Sequence, residues 1–185
     1  MNVIKTTIDD LVIVEPTLFN DSRGYFFESY NEKKLYALGI QTKFVQDNQS
    51  KSCYGVIRGL HYQIYPHAQS KLVRVLSGKI LDVCVDLREN SPSYGQHEAI
   101  ILSSENQRQL FIPKGFAHGF SVLSDEAVVL YKADEWYHPE SERGIAFDDP
   151  SLKIAWQVDP DKRLVSDKDK ILPTLEEAEL NFQNH

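Results

Sequence analysis

Short runs of β-branched and apolar residues recur at about ten-residue intervals through the middle of this 185-residue chain, each closed by turn-forming residues. That rhythm is too short for helices with their connections, and it suits strands that close as an all-β sandwich or barrel. Residues 70–76 and 79–87 are predicted to form a hairpin across Ser77-Gly78. In the second of these runs Leu81, Val83, Val85 and Leu87 share one face, and Ile80, Asp82, Cys84 and Asp86 share the other. Residues 99–102, 109–112, 119–123 and 127–131 continue the series, with brief earlier strands at 11–14 and 43–46. Two short peripheral helices are expected. Asn31 caps one that runs to Leu38 and ends at Gly39, and Thr174-Leu175-Glu176-Glu177 reads as a capping box opening a terminal one.

With no repeat, linker or low-complexity tract, residues 1–185 are expected to form a single domain. The aromatic share of 11%, with nine Tyr and nine Phe, favours β-structure and flat-walled pockets. A formal net charge of -7 argues against a general nucleic-acid partner, because no basic field would release counterions. An anionic ligand would need a local cationic cluster. Residues 1–16 alternate apolar and polar residues and lack the basic start and apolar core of a signal peptide, and no run is long enough to span a membrane. The two cysteines, Cys53 and Cys84, make no disulfide framework and suit a reducing compartment. A cytoplasmic protein without membrane or nucleic-acid partners is therefore expected.

The chemistry concentrates in Val56-Ile57-Arg58-Gly59-Leu60-His61-Tyr62-Gln63 and, soon after, Ser70-Lys71-Leu72-Val73-Arg74-Val75. Arg58 is a fork for anions, His61 a titratable base, Gln63 an amide and Lys71 a point cation. Together they could hold a phosphorylated carbonyl compound and move a proton on it.

Pro113-Lys114-Gly115-Phe116-Ala117-His118 follows an apolar strand and resembles the second motif of the cupin superfamily, a double-stranded β-helix or jelly roll. The first cupin motif needs His-x-His, where this chain has His61-Tyr62-Gln63. An amide in place of the second imidazole leaves a poor metal site, so no metal is expected. The motifs together resemble the dTDP-4-dehydrorhamnose 3,5-epimerases. They are Arg23-Gly24-Tyr25-Phe26-Phe27-Glu28, Gln46-Asp47-Asn48, 58–63, 71–75, 82–88, 113–120, Tyr131-Lys132, Tyr137-His138-Pro139, Glu142-Arg143-Gly144 and Ser166-Asp167-Lys168-Asp169.

The resemblance implies epimerisation at C3 and C5 of a dTDP-linked 4-keto-6-deoxy sugar, without cofactor. Both carbons flank the C4 carbonyl, so each proton can leave to an enolate, given a base on one face, an acid on the other and positive charge near the C4 oxygen. By resemblance His61 is the base, Tyr131 the proton donor and Asp169 the carboxylate that orients His61, with Asp82 a second candidate for that task. Lys71 stabilises the oxyanion. Arg58 and Arg23, assisted by Lys168, resemble diphosphate forks. Phe26 and Glu28 resemble thymine contacts, and Gln46, Asp47 and Asn48 a nucleotide-contacting loop. Gln63, His118, Tyr137 and Glu142 match further substrate positions. The family's N-terminal segment reaches its neighbour, so a homodimer is implied, with Arg23 and Glu28 serving the partner's site. Trp136 stands where the family often has a second tyrosine.

Taken singly, these residues have plainer readings. His61 and His118 would be structural histidines, Lys168 and Asp169 a solvated turn, Tyr131 a core residue with a wet hydroxyl, and Arg23 with Glu28 a surface pair. Other functions also compete. The nearest rival is an epimerase of the same branch acting at C3 alone or on another nucleotide-linked 4-keto sugar, and the presence of Tyr131 favours double epimerisation. A metal-dependent dioxygenase would need the missing ligand, and a non-catalytic sensor would be expected to lose the base or the acid.

Overall fold

The computed structural model describes residues 1–183. In chain order its elements are β1 (Asn2–Lys5), β2 (Val12–Glu15), β3 (Phe19–Asp21), β4 (Gly24–Phe26), helix α1 (Glu32–Ala37), β5 (Gln46–Cys53), β6 (Val56–Gln63) and β7 (Lys71–Ser77). There follow β8 (Lys79–Asp86), β9 (His97–Ser103), β10 (Gln109–Ile112), β11 (Phe116–Val122), β12 (Glu126–Ala133), β13 (Glu142–Gly144) and β14 (Leu164–Val165). One sheet has the order β1–β2–β10–β7–β12–β5, and the other β13–β6–β11–β8–β9, with β14 beside β6. Strands β3 and β4 form a separate hairpin. This is the expected all-β jelly roll of cupin type.

Three apolar layers follow from the side-chain alternation. Val73, Val75, Leu110, Ile112 and Val129 of the first sheet meet Ile80, Cys84, Leu102, Phe116 and Phe120 of the second between the sheets. Leu81, Val83, Val85 and Leu87 point the other way, onto an outer layer with Ile145, Trp156 and Phe182. Strand β8 is thus buried on both faces. Leu35 and Ile40, from α1 and its exit, cover Val14, Leu72 and Phe111 on the far side of the first sheet. Each fully buried side chain of this size stabilises the fold by roughly 1.5–3 kcal/mol.

Helix α1 forms where expected. The Asn31 side chain accepts the Lys34 N–H at 3.2 Å, and Gly39 follows at φ +93°. Three expectations need correction. Strands β7 and β8 are not a hairpin, because β7 pairs with β10 and β12 while β8 pairs with β11 and β9. Gly78, at φ +81°, carries the chain from one sheet to the other, and a Cβ there would fall inside the Glu126 carbonyl oxygen. The strand expected at 43–46 begins only at Gln46 and runs on to Cys53, so Gln46, Asp47 and Asn48 lie on a strand and not in a loop. Among the described residues no C-terminal helix forms. Thr174 Oγ1 does donate to Glu177 Oε2 at 3.0 Å, but the Leu175 N–H is taken by Asp149 Oδ2 at 2.6 Å. The chain then runs on to place Leu175, Ala178 and Leu180 against the outer layer.

Candidate active site

A cleft of about 1040 Å³ opens between the sheets, large enough for a nucleotide sugar. Its second-sheet wall carries Arg58, His61 and His118, and its first-sheet wall Ser50, Lys71 and Tyr131. Glu142 at the start of β13 and Tyr137, Lys168 and Asp169 from the connections complete it. Arg58, Lys71, Arg163, Lys168 and Lys170 set five cations against the carboxylates of Glu142, Asp148 and Asp169. An acidic chain thereby presents the local cationic cluster an anionic ligand needs.

The His61 ring is held from below. Its Nε2 donates to Asp169 Oδ1 at 2.8 Å, and the other carboxylate oxygen accepts the Gly59 N–H at 3.3 Å. Asp169 opens a short 3₁₀ turn (Asp169–Ile171) and is itself fixed by its N–H to the Ser166 hydroxyl at 3.1 Å. Burial pushes the Asp169 carboxyl up, but the hydrogen bonds from His61, Gly59 and Ser166 outweigh it and hold the group below its usual range. Gly59, at φ +108°, is required here, because a Cβ would sit 2.6 Å from the Gly119 Cα on β11. Asp82 belongs to a different pair. Fully buried, it accepts from His118 Nε2 at 3.0 Å through both oxygens. The choice between the two aspartates therefore falls to Asp169.

Across the cleft, burial raises the Tyr131 hydroxyl above its ordinary pKa, with a further push from Glu142. Lys71 Nζ lies 5.8 Å from the Tyr131 ring centroid, and burial holds its ammonium below the ordinary lysine range. Glu142 accepts from Tyr137 Oη at 2.8 Å and from Lys168 Nζ at 2.6 Å. Arg58 Nε donates to Ser52 Oγ at 3.1 Å, which ties one wall to the other.

Not every expected residue joins the cleft. Arg23, Phe26 and Glu28 lie on or just after the exposed β3–β4 hairpin, with Arg23 paired to Asp21 and Glu28 to Lys34. Gln46 and Asn48 share the face of β5 that leads to Ser50, and Gln46 Oε1 accepts the Tyr137 N–H at 3.2 Å. Asp47 points to the opposite face and pairs with Lys132 at 2.9 Å, since neighbours on a strand cannot share a face. Gln63 lines the cleft, yet its amide is committed: Nε2 donates to the carbonyls of His67 (2.6 Å) and Trp136 (3.2 Å), and Oε1 accepts the His138 N–H (2.8 Å). It braces the lip of the cleft. Ser50, Gln69, Arg163 and Lys170 were not anticipated, and only the basic character of the 162–170 run hinted at the last two.

The positions where a metal cupin carries ligands do not fit an ion here. His61 and His118 each turn Nε2 to a carboxylate, and Gln63 is bonded to backbone. No step is routed through a metal.

A jelly roll whose facing sheets set an aspartate-held histidine opposite a tyrosine, with lysine and arginine beside them, defines an isomerase of the acid–base type. The family model of dTDP-4-dehydrorhamnose 3,5-epimerase matches residues 5–177, and the chain belongs to that family. It is 54% identical over 170 residues to the dTDP-4-dehydrorhamnose 3,5-epimerase of Shigella flexneri, covering 91% of this chain and 93% of that one. Among solved structures, the dTDP-4-dehydrorhamnose 3,5-epimerase of Elizabethkingia anophelis NUHP1 superposes with a TM-score of 0.92 at 49% identity, covering 96% and 97% of the two chains. The dTDP-6-deoxy-D-glucose-3,5-epimerase of Legionella pneumophila Philadelphia 1, in complex with dTDP-4-keto-L-rhamnose, gives 0.91 at 50% identity, covering 95% and 93%.

Proposed function

We propose that this chain epimerises C3 and C5 of dTDP-4-dehydro-6-deoxy-D-glucose to give dTDP-4-dehydro-L-rhamnose, a step of dTDP-L-rhamnose biosynthesis. The observation that carries the reading is the placement of His61, held by Asp169 at 2.8 Å, and Tyr131 on opposite sheets lining one cleft. With Nε2–H donated to Asp169, His61 Nδ1 holds the lone pair that takes the carbon-bound proton. The electrons move to the C4 oxygen, where the Lys71 ammonium balances the developing charge. Tyr131 delivers a proton to the other face of the same carbon, inverting it, and is recharged from solvent. The sequence is then repeated at the second carbon.

Arg58 and Lys168 take the diphosphate, with Arg163 and Lys170 adding charge along the same wall. His118, locked by Asp82, shapes the floor beside His61, and Tyr137 with Glu142 lines the mouth. The thymine end requires a second copy. The β3–β4 hairpin exposes Phe19 (61%), Tyr25 (58%) and Phe26 (67%) and carries Arg23, with Glu28 close behind. A homodimer that lends this hairpin to its neighbour would bring Arg23, Phe26 and Glu28 to the partner's cleft. Cys53 is exposed and Cys84 buried, both free, which agrees with a reducing, cytoplasmic setting. Among the described residues no helix is long and apolar enough to cross a membrane.

Proton NMR of the substrate incubated with the protein in D₂O tests the reading. Deuterium at both C3 and C5, abolished by His61→Asn, is the expected result. Deuterium at C3 alone would reassign the chain to a monoepimerase, and none at either carbon would overturn the proposal.

A further inference from the structure

Beside the mouth of the cleft, but outside its lining, two connections meet. One carries His67, between β6 and β7, and the other carries Glu135 and His138, after β12. One ligating atom from each of the three lies within 4.8 Å of the others, and all three side chains are half-buried. The imidazoles stack, with centroids 3.4 Å apart and planes 16° from parallel. None of the three has a part in the epimerisation chemistry derived above.

We propose that His67, Glu135 and His138 bind a divalent transition-metal ion, of which Zn²⁺ is the probe of choice. Two imidazole nitrogens and one carboxylate oxygen suit a borderline ion such as Zn²⁺ or Cu²⁺, whereas Ca²⁺ and Mg²⁺ require an oxygen cage that is absent here among the described residues. The three ligands are also fixed from behind. Gln63 Nε2 donates to the His67 carbonyl at 2.6 Å, and its Oε1 accepts the His138 N–H at 2.8 Å, so one amide grips both histidine backbones. Gln69 Nε2 donates to the Glu135 carbonyl at 2.8 Å, and the Trp136 N–H holds Glu135 Oε1 at 2.8 Å. The other carboxylate oxygen remains for the ion. These bonds fix the backbones that carry the ligands and leave the imidazole rings free to turn. A nitrogen lone pair lies in its ring plane, so binding splays the stacked rings. Turns about χ2, a soft torsion in histidine, achieve this with the backbone in place. The fourth position faces solvent and takes water. Two protein segments separated by the whole of β7 to β12 are then stapled through one ion.

Equilibrium dialysis of the full chain against Zn²⁺ alone, at neutral pH, is the test. One Zn²⁺ per chain is expected, with the affinity falling about 10-fold or more in His67→Gln and again in Glu135→Gln. Both variants should keep wild-type epimerase turnover and far-UV circular dichroism, which separates a lost ligand from a lost fold. Cu²⁺ should quench the emission of Trp136, which stands between two ligands, in the wild type and not in the His67→Gln/His138→Gln double variant. The proposal is overturned if no ion binds. It is equally overturned if the double variant binds as tightly as wild type, or if binding disappears instead in Cys53→Ser or His61→Asn, which would place the ion at the exposed thiol or in the cleft.

Discussion

Asp169 divides its carboxylate between the Gly59 N–H and the His61 ring, so it fixes both the backbone under the histidine and the imidazole's tautomer. Asp169→Asn keeps the shape but can present an N–H to Nε2, and kcat is expected to fall by about 10²–10⁴-fold with little change in KM, measured by steady-state turnover. Tyr131→Phe separates the two proton transfers. His61 can still remove and return a proton on its own face, so deuterium should enter from D₂O while net inversion falls by about 10²–10⁴-fold. Lys71 should set the alkaline limb of kcat. Burial lowers its pKa and raises that of Tyr131, so loss of the lysine charge moves to lower pH while loss of the tyrosine proton moves to higher pH. In Lys71→Arg the cation persists, and the limb of the residual activity should move upward on a pH–rate profile. At this scale motifs placed on the cleft-facing strands were legible, as for His61 and Lys71, whereas Arg23, Phe26, Glu28 and Asp47, also carried by motifs, lie outside the cleft of the single chain. The sequence could not say which histidine Asp82 and Asp169 each serve, because that depends on a ring contact made across 108 positions of chain.

Among the elements, β8 was the most legible as a strand, since Leu81, Val83 and Val85 alternate along one face, while Asp82 and Asp86 on the other are buried only through their hydrogen-bonded partners. Strand β5 was the least legible, because its inward residues Gln46, Asn48 and Ser50 lead along the wall of a wet cleft and carry no apolar period. The supposed β7–β8 hairpin has the right turn residue at Gly78. What the turn residue could not reveal is that each strand finds its partners elsewhere. Gly78→Ala forces a side chain into the start of β12 and is expected to cost roughly 1–3 kcal/mol, read as a lower urea midpoint with the slope unchanged. At the other end of β8, Asp86 is fully buried and accepts from Arg88 Nη2 at 2.8 Å, Ser91 Oγ at 2.6 Å and Ser93 Oγ at 2.7 Å. Burial raises its carboxyl, but these donors prevail and hold it below its usual range. A depressed folded-state pKa means stability that is present above the unfolded carboxylate value, about 4, and lost as pH falls through the folded one. Asp86→Ala should therefore be less stable by roughly 3–5 kcal/mol near neutrality, with the gap to wild type narrowing in acid.

For the whole molecule, the proposed function rests on a second copy of the chain. Sedimentation should give a dimer, and Phe26→Asp, placing charge on the exposed hairpin, should shift it toward monomer and raise KM for the nucleotide sugar. A monomeric wild type at working concentration would remove the hairpin-exchange reading. The interleaving of the two sheets has a consequence in time. Strands β5, β6 and β7 all precede Gly78, yet their ladder partners β10, β11, β12, β13 and β14 all follow it. During synthesis those three strands must wait, edges open, until the ribosome has delivered most of the second half of the chain. Such a nascent chain keeps unpaired, aggregation-prone edges exposed for longer than a protein of the same size whose neighbouring strands pair as they emerge.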